Sequence, residues 1–223
     1  MAKLIDLEGL DGAGKSSQIK LITEHFEKQN KKVKFIHFPM YGHNMYSEMI
    51  SKFLRGEYGN NDEVDPIFVA NIYAMDRYMY KDQLIKELEE YDVVVMDRYV
   101  FSNIAYQGAK TKTQEDLEHM YREIMHFEFT FLGLPYPNKT IFFDVPVKEI
   151  ERRLNIERVG EDRDYLNGKK DIHEQDINYQ AKVRNIYLML REYDTLNFTV
   201  IPAYNEQGIL PPVELFNTYK NGL

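Results

Sequence analysis

Apolar residues along the chain fall into two alternating kinds of cluster. Five are short: Leu4 to Leu7, Val33 to Phe38, Val93 to Met96, Ile141 to Val145 and Phe198 to Ile201. They are rich in β-branched or aromatic residues and read as strands, largely buried on both faces. Between them the apolar positions step by three and four. Ile19, Ile22 and Phe26 follow Lys15 in this way, as do Tyr179, Val183, Ile186, Leu190 and Tyr193, each series forming one face of a helix. Ile67 to Leu88 is a longer segment of mixed pattern. Strands alternating with helices predict an α/β fold, with a five-stranded parallel sheet between two helical layers. Gly56 to Pro66 and Val159 to Lys170 are polar, charged and punctuated by glycine, so both read as surface loops. No repeat, low-complexity tract or linker divides the sequence, and 223 residues suit one domain spanning 1–223.

Composition narrows the functional classes. A formal net charge of −8 argues against nucleic acid as the main partner, because such binding rests on surplus Lys and Arg. A small phosphorylated ligand stays open, since a basic pocket can sit on an acidic protein. The absence of cysteine removes disulfides and thiolate metal sites and fits a reducing cytosol. Asp6 and Glu8 interrupt the first apolar segment, which therefore lacks the long apolar run of a signal peptide. No run approaches the roughly 20 apolar residues of a membrane span. The expectation is a cytoplasmic protein without a membrane partner.

Gly9-Leu10-Asp11-Gly12-Ala13-Gly14-Lys15-Ser16 satisfies the pattern G-x-x-x-x-G-K-[ST]. Its glycines let the backbone curl until its N–H groups point at phosphate oxygens. Lys15 brings charge to the β- and γ-phosphates, and the Ser16 hydroxyl can ligate Mg²⁺. An apolar strand before the loop and an amphipathic helix after it are the context that this mechanism needs. Ser17, next in that helix, is grouped with Gly9 to Ser16 as ATP-binding. The loop marks a P-loop NTPase fold without naming a reaction, because GTPases, ATPases and small-molecule kinases share it.

Asp11 would repel ATP unless it faced a second ligand's hydroxyl, a metal, or a loop N–H in a purely structural role. The strand Val93 to Met96 runs into Asp97-Arg98-Tyr99, placed where ligands bind beyond the carboxyl ends of parallel strands. Asp97 can hold Mg²⁺ and Arg98 can grip phosphate, or the two can form an internal ion pair. Ser102, Asn103, Tyr106 and Gln107 follow, neutral hydrogen-bonding groups suited to the edge of a nucleobase.

Together these segments resemble the thymidylate kinase family. Glu8 to Ser16, Phe38-Pro39, Tyr73-Ala74-Met75-Asp76-Arg77, Asp97-Arg98-Tyr99 and Tyr106-Gln107-Gly108 are similar to its motifs and stand in its order. Phe143-Asp144-Val145-Pro146, Asp171-Ile172-His173-Glu174 and Val183-Arg184-Asn185-Ile186-Tyr187 extend the likeness to about residue 187. The resemblance implies a homodimeric enzyme that phosphorylates dTMP to dTDP with MgATP. It implies that Asp11 binds the sugar 3′-hydroxyl, Tyr73 stacks on thymine, Arg77 bonds thymine O4 and Asn103 touches the base. Tyr106 would crowd the 2′ position, while Arg98 holds the substrate phosphate. Phe38, Ser102 and Gln107 join that substrate set. Glu174 would stand with Asp11, Ser16 and Asp97 near the metal, or would simply be part of the acidic first turn of a helix.

The reaction asks for alignment and positive charge, since the acceptor oxygen is already ionised at neutral pH. Lys15, Arg98 and Asp11 fall in the catalytic set with Arg158 and Arg163. Those two arginines, with Arg153 on the ATP side and Lys169, lie in a basic segment, 153–170, expected to form a helical lid. Two positions depart from the family pattern. Gly12 stands where some members carry arginine, and Met40 follows Phe38-Pro39 where many carry a basic residue. A kinase for another nucleoside monophosphate and a P-loop switch are the competing readings, but the switch lacks an Asn-Lys-x-Asp guanine motif.

Overall fold

The computed structural model describes residues 2–154, 165–166, 171–173 and 176–223. In chain order the elements are β1 (Lys3–Glu8), α1 (Lys15–Glu27), β2 (Val33–His37), α2 (Met45–Leu54) and α3 (Pro66–Glu90). They continue with β3 (Val93–Asp97), α4 (Val100–Gly108), α5 (Gln114–Met125), β4 (Lys139–Asp144), α6 (Val147–Leu154) and α7 (Ile177–Tyr193). Last come β5 (Phe198–Pro202), the two-residue strands β6 (Tyr204–Asn205) and β7 (Gly208–Ile209), and α8 (Pro212–Tyr219).

The sheet has five parallel strands in the order β2-β3-β1-β4-β5. From β1 the chain crosses leftward to β2, and each later crossover runs rightward. With right-handed crossovers this puts α1 on one face and α3, α4 and α7 on the other. Contacts agree, since α1 packs on β1, β2 and β3 and meets α8, whereas α4 packs between α3 and α7. All five short clusters are strands, and Ile19, Ile22, Phe26, Tyr179, Val183, Ile186 and Leu190 turn inward as their spacing predicts. Tyr193 is the exception, 41% exposed and lying against Tyr121 with ring centroids 4.7 Å apart.

The expectation that strands are buried on both faces holds for β3, where every residue is buried, but fails for β2 and for β5, the two edge strands, each with one buried residue. Strand β2 is at the sheet edge, and Phe35 there is 46% exposed. The mixed pattern of α3 also has a cause. Ala70, Ala74, Leu84 and Leu88 belong to the main core over the sheet, while Val69 and Ile72 pack into a second cluster with Ile50, Phe53, Leu54, Val64 and Leu166. The helix is thus buried on two sides. Its start is capped by Asp65, whose side chain accepts from the N–H groups of Ile67 and Phe68, with Pro66 at the first turn.

Register builds the functional edge. Val93 pairs with both Lys3 and Val33, so Leu7, Asp97 and His37 share one row at the carboxyl ends of three adjacent strands. Everything that follows lies beyond that row.

Candidate active site

The loop Gly9 to Gly14 joins β1 to α1. Gly14 is the N-cap of α1 with φ of 92°, a left-handed conformation that strains any side-chain-bearing residue. At Gly9 an added Cβ would stand 3.1 Å from the Ala13 Cβ, too close for an ordinary contact. No side chain caps this helix start and its first turn holds no acidic residue, so its free N–H groups are left for an anion. Lys15 folds back into the loop. Its Nζ donates to the Gly9 carbonyl at 3.2 Å and stands 3.7 Å from Asp97 Oδ1. Burial and the nearby Arg98 charge lower the Lys15 pKa, against the pull of Asp97, Asp11 and Glu8. Ser16 and Ser17 are exposed at the helix start.

Burial alone would raise the Asp97 carboxyl, but Lys15 and His37 hold it below its ordinary value. His37 Nδ1 lies 3.4 Å from Asp97 Oδ2, while Oδ1 has no hydrogen-bond partner among the described residues. Among those residues no three His, Cys, Asp or Glu side chains gather as a metal cage. One half-satisfied carboxylate and one exposed serine hydroxyl instead fit an ion held largely by water and phosphate oxygens, the usual manner of Mg²⁺ in kinases.

Asp97 and Arg98 do not pair internally. Arg98 reaches across to the loop, its Nη2 donating to Asp11 Oδ1 at 2.9 Å and to the Tyr106 hydroxyl at 3.2 Å. Its Nη1 donates to Ser102 Oγ at 3.1 Å, and the guanidinium lies 5.1 Å from the Tyr106 ring centre. Asp11 therefore turns away from the phosphate loop, toward the second side of the cleft. Tyr106 is backed by His173, with ring centroids 5.0 Å apart, and its carbonyl accepts from the Tyr179 hydroxyl at 2.6 Å. Burial holds His173 well below the ordinary histidine range, hence neutral.

The opposite wall comes from α3 and α4. Arg77 is buried and makes a bidentate pair with Glu128, Nε to Oε2 at 2.6 Å and Nη2 to Oε1 at 2.7 Å. Asn103 donates through Nδ2 to the same Glu128 Oε1 at 2.9 Å and to the Ala70 carbonyl at 3.0 Å. These two donations fix the amide orientation and leave Asn103 Oδ1 an acceptor without a partner among the described residues. Gln107 Oε1 is likewise unpartnered, and Tyr73 lies half-buried one turn before Arg77.

Two expected substrate contacts point elsewhere. Phe38 is 1% exposed, its ring enclosed by Tyr80 and Tyr99, so it supports the cleft from within the core. Ser102 donates its hydroxyl to Glu8 Oε2 at 2.5 Å and accepts from Arg98, so its hydrogen-bonding capacity is turned inward. Arg158, Arg163, Lys169 and Glu174, together with the side chain of Arg153, lie outside the described residues. The sequence reading missed Glu128, His37 and the role of Glu8. A lone carboxylate among the aromatic residues of His126 to Phe131 was the available signal for Glu128, which is fully buried on a turn of π-helix.

Anion-gathering groups line one side of this cleft, and donors and acceptors suited to a planar ring line the other. The loop, parallel sheet and two-sided cleft are those of a P-loop kinase that takes a nucleotide as acceptor. Comparison with known proteins makes the assignment specific: the family model described as thymidylate kinase matches residues 7–210, and the chain belongs to the thymidylate kinase family. It is 32% identical over 209 residues to the probable thymidylate kinase 1 of Saccharolobus solfataricus, covering 93% of this chain and 92% of that one. It is 29% identical over 188 residues to the thymidylate kinase of Mycobacterium tuberculosis, covering 84% and 85%. The structure of thymidylate kinase from Candida albicans superposes with a TM-score of 0.69 over 99% of this chain and 92% of that one. At 20% identity this likeness speaks to fold. As a family member the chain is a nucleoside monophosphate kinase, a transferase that converts dTMP to dTDP with ATP as donor.

Proposed function

We propose that thymine is recognised by the buried Glu128–Arg77–Asn103 arrangement and that phosphoryl transfer takes place between the loop and Arg98. The observation that carries this reading is the fixed polarity of the base-side groups. Glu128 occupies the Nε/Nη2 edge of the Arg77 guanidinium, leaving the two N–H groups of Nη1 and one of Nη2 as donors for thymine O4. The amide of Asn103 is held with its oxygen free, an acceptor for thymine N3–H. Cytosine inverts both, offering an amino group at position 4 and a lone pair at N3. Tyr73 supplies the stacking face, worth about 1–3 kcal/mol per base. Gln107 completes the base side. Asp11 takes the sugar 3′-hydroxyl and Tyr106 bars a 2′-hydroxyl.

On the phosphate side, Gly9 to Ser17 cradle the ATP phosphates and Lys15 neutralises charge on the transferred group. Arg98 holds the dTMP phosphate, so donor and acceptor are aligned before transfer. Ser16 and Asp97 would hold Mg²⁺, which supplies charge neutralisation between the phosphates. Asp11, occupied by Arg98, serves the sugar in preference to the metal. Arg153, Arg158 and Arg163 add the positive charge that Gly12 and Met40 do not provide. A cytoplasmic homodimer completes the reading. No helix among the described residues is long and apolar enough to cross a membrane.

ADP release with MgATP and each common nucleoside monophosphate tests the proposal. dTMP should exceed dCMP by about 100-fold or more in kcat/KM, the cost of leaving buried polar groups unpaired. Lys15→Met should lose about 100-fold or more in kcat. Equal use of dCMP would overturn the base assignment, and an active, folded Lys15→Met protein would overturn the phosphate site.

A further inference from the structure

Glu8 is the last residue of β1 and immediately precedes the phosphate loop, yet its side chain turns away from the loop and is 0% exposed. Its Oε1 accepts from the backbone N–H groups of Tyr99, at 3.1 Å, and Ser102, at 2.9 Å. Its Oε2 accepts from the hydroxyls of Ser102, at 2.5 Å, and Tyr187, at 2.7 Å. The two backbone N–H groups can only donate, and the two hydroxyls, which also lie 2.9 Å from each other, can each turn a hydrogen to the carboxylate; these contacts favour the ionised form, whereas burial raises the Glu8 pKa. Tyr99 is the N-cap of α4 and offers no side-chain cap of its own. Glu8 does that work from another strand.

Arg98 lies between these contacts. Its φ of 68° is in the left-handed region, unusual for a residue with a side chain and sustained only where neighbours over-determine it. The Leu7 carbonyl accepts the Arg98 N–H at 3.1 Å, and Glu8 accepts the N–H of the next residue. The backbone on both sides of Arg98 is thus held by two consecutive residues of β1. The guanidinium is held from the same source. Ser102 Oγ accepts from Arg98 Nη1, which can only donate, and turns its own hydrogen to Glu8, so Glu8 sets the hydroxyl orientation that presents the Ser102 lone pairs to Arg98.

We propose that Glu8 is a positioning residue for phosphoryl transfer: it fixes the strained backbone of Arg98 and, through Ser102, the orientation of its guanidinium at the acceptor phosphate. This rests on the reading that Arg98 holds the dTMP phosphate. It also gives the phosphate loop and the acceptor-binding arginine a common origin, because Glu8 and Gly9 are adjacent. Glutamine at position 8 keeps the shape but presents an NH₂ group to two of the four donors. The hydroxyls of Ser102 and Tyr187 must then invert, and Arg98 loses the second of its two nearby anions, Asp11 being the first.

The test is a double-mutant cycle of Glu8→Gln with Arg98→Ala, read by calorimetric affinity for dTMP and for ADP and by steady-state kinetics. Glu8→Gln should weaken dTMP binding about 10-fold and lower kcat on the order of 10- to 100-fold, with ADP affinity within about 2-fold of wild type. In the Arg98→Ala background the same substitution should change dTMP affinity by less than about 2-fold, as expected of residues that act as one unit. Ser102→Ala, which leaves the carboxylate in place, should show a smaller dTMP-selective loss that also vanishes without Arg98. This second variant decides the matter if Glu8→Gln fails to fold. If Arg98→Ala impairs dTMP binding but the Glu8 or Ser102 effect persists at full size without Arg98, the positioning role is overturned while the Arg98 assignment stands. If Arg98→Ala binds and turns over dTMP like wild type, both fall.

Discussion

Asp6 sits in the middle of β1 with its side chain fully buried, Oδ2 lying 3.3 Å from Thr140 Oγ1 and Oδ1 without a partner among the described residues. Burial first, and then the neighbouring Glu8 charge, raise its pKa well above the ordinary carboxylate range. A carboxyl whose folded pKa is raised contributes stability that is fully present below its unfolded pKa. That contribution is lost as pH rises through the folded value. Asp6→Asn cannot ionise and retains an oxygen for Thr140, so it should be more stable than wild type. The difference should widen from acidic to alkaline pH. Urea unfolding at several pH values checks this, and a gain that shrinks with rising pH would contradict the burial argument. The contrast with Glu8, two residues along the same strand face, shows how environment divides two carboxylates. Backbone and hydroxyl donors favour the ionised form of one, and a single long contact leaves the other to hold its proton.

At the scale of elements, the turn of π-helix at His126–Phe131 brings Glu128 beneath α3 and so decides the chemistry that Arg77 can offer. Removing half of a buried ion pair leaves an uncompensated charge and typically costs about 3–5 kcal/mol. Glu128→Gln should therefore lower stability and raise KM for dTMP at least about 10-fold, because glutamine offers one acceptor oxygen to the three donors of Arg77 and Asn103 and sets an NH₂ against one of them. KM for ATP should stay within about 2-fold, since the loop lies on the other side of the cleft. Equal effects on the two substrates would show that Glu128 supports the fold alone. This element marks the limit of what the sequence discloses. The strand-loop-helix around Gly9 to Ser16 was legible because its residues are contiguous and each type has a distinct physical task. Arg77 and Glu128 stand 51 residues apart, and the aromatic residues flanking Glu128 are the one local hint that its carboxylate is buried. Helix α2 went unread for a related reason. Its start is a capping box built by Asn44 and Ser47, where the familiar signature carries Glu or Gln in the later position.

For the molecule as a whole, strand identity was readable but strand order was not, which is why β2 appeared more buried in pattern than it is at the sheet edge. Periodicity reports how a segment alternates, not which neighbours it acquires. The same limit applies to α3, where Ile67, Phe68, Tyr78 and Met79 remain substantially exposed. Residues 67 and 78, like 68 and 79, are separated by about three helical turns, so the four share a face. An apolar stripe of this kind suits the proposed homodimer. Sedimentation equilibrium at micromolar concentration should give twice the chain mass of 26.5 kDa, and charged substitutions at Phe68 and Met79 together should shift it to the monomer. A monomeric wild-type protein would remove that reading. The left-handed backbone at Arg98 has a consequence for how this sequence would drift. Glycine there would relieve strain of about 1–2 kcal/mol while deleting the guanidinium, so folding and turnover favour different residues at one position. In a library selected only for soluble expression, glycine should accumulate at position 98; selection for growth that depends on the enzyme's turnover should restore arginine.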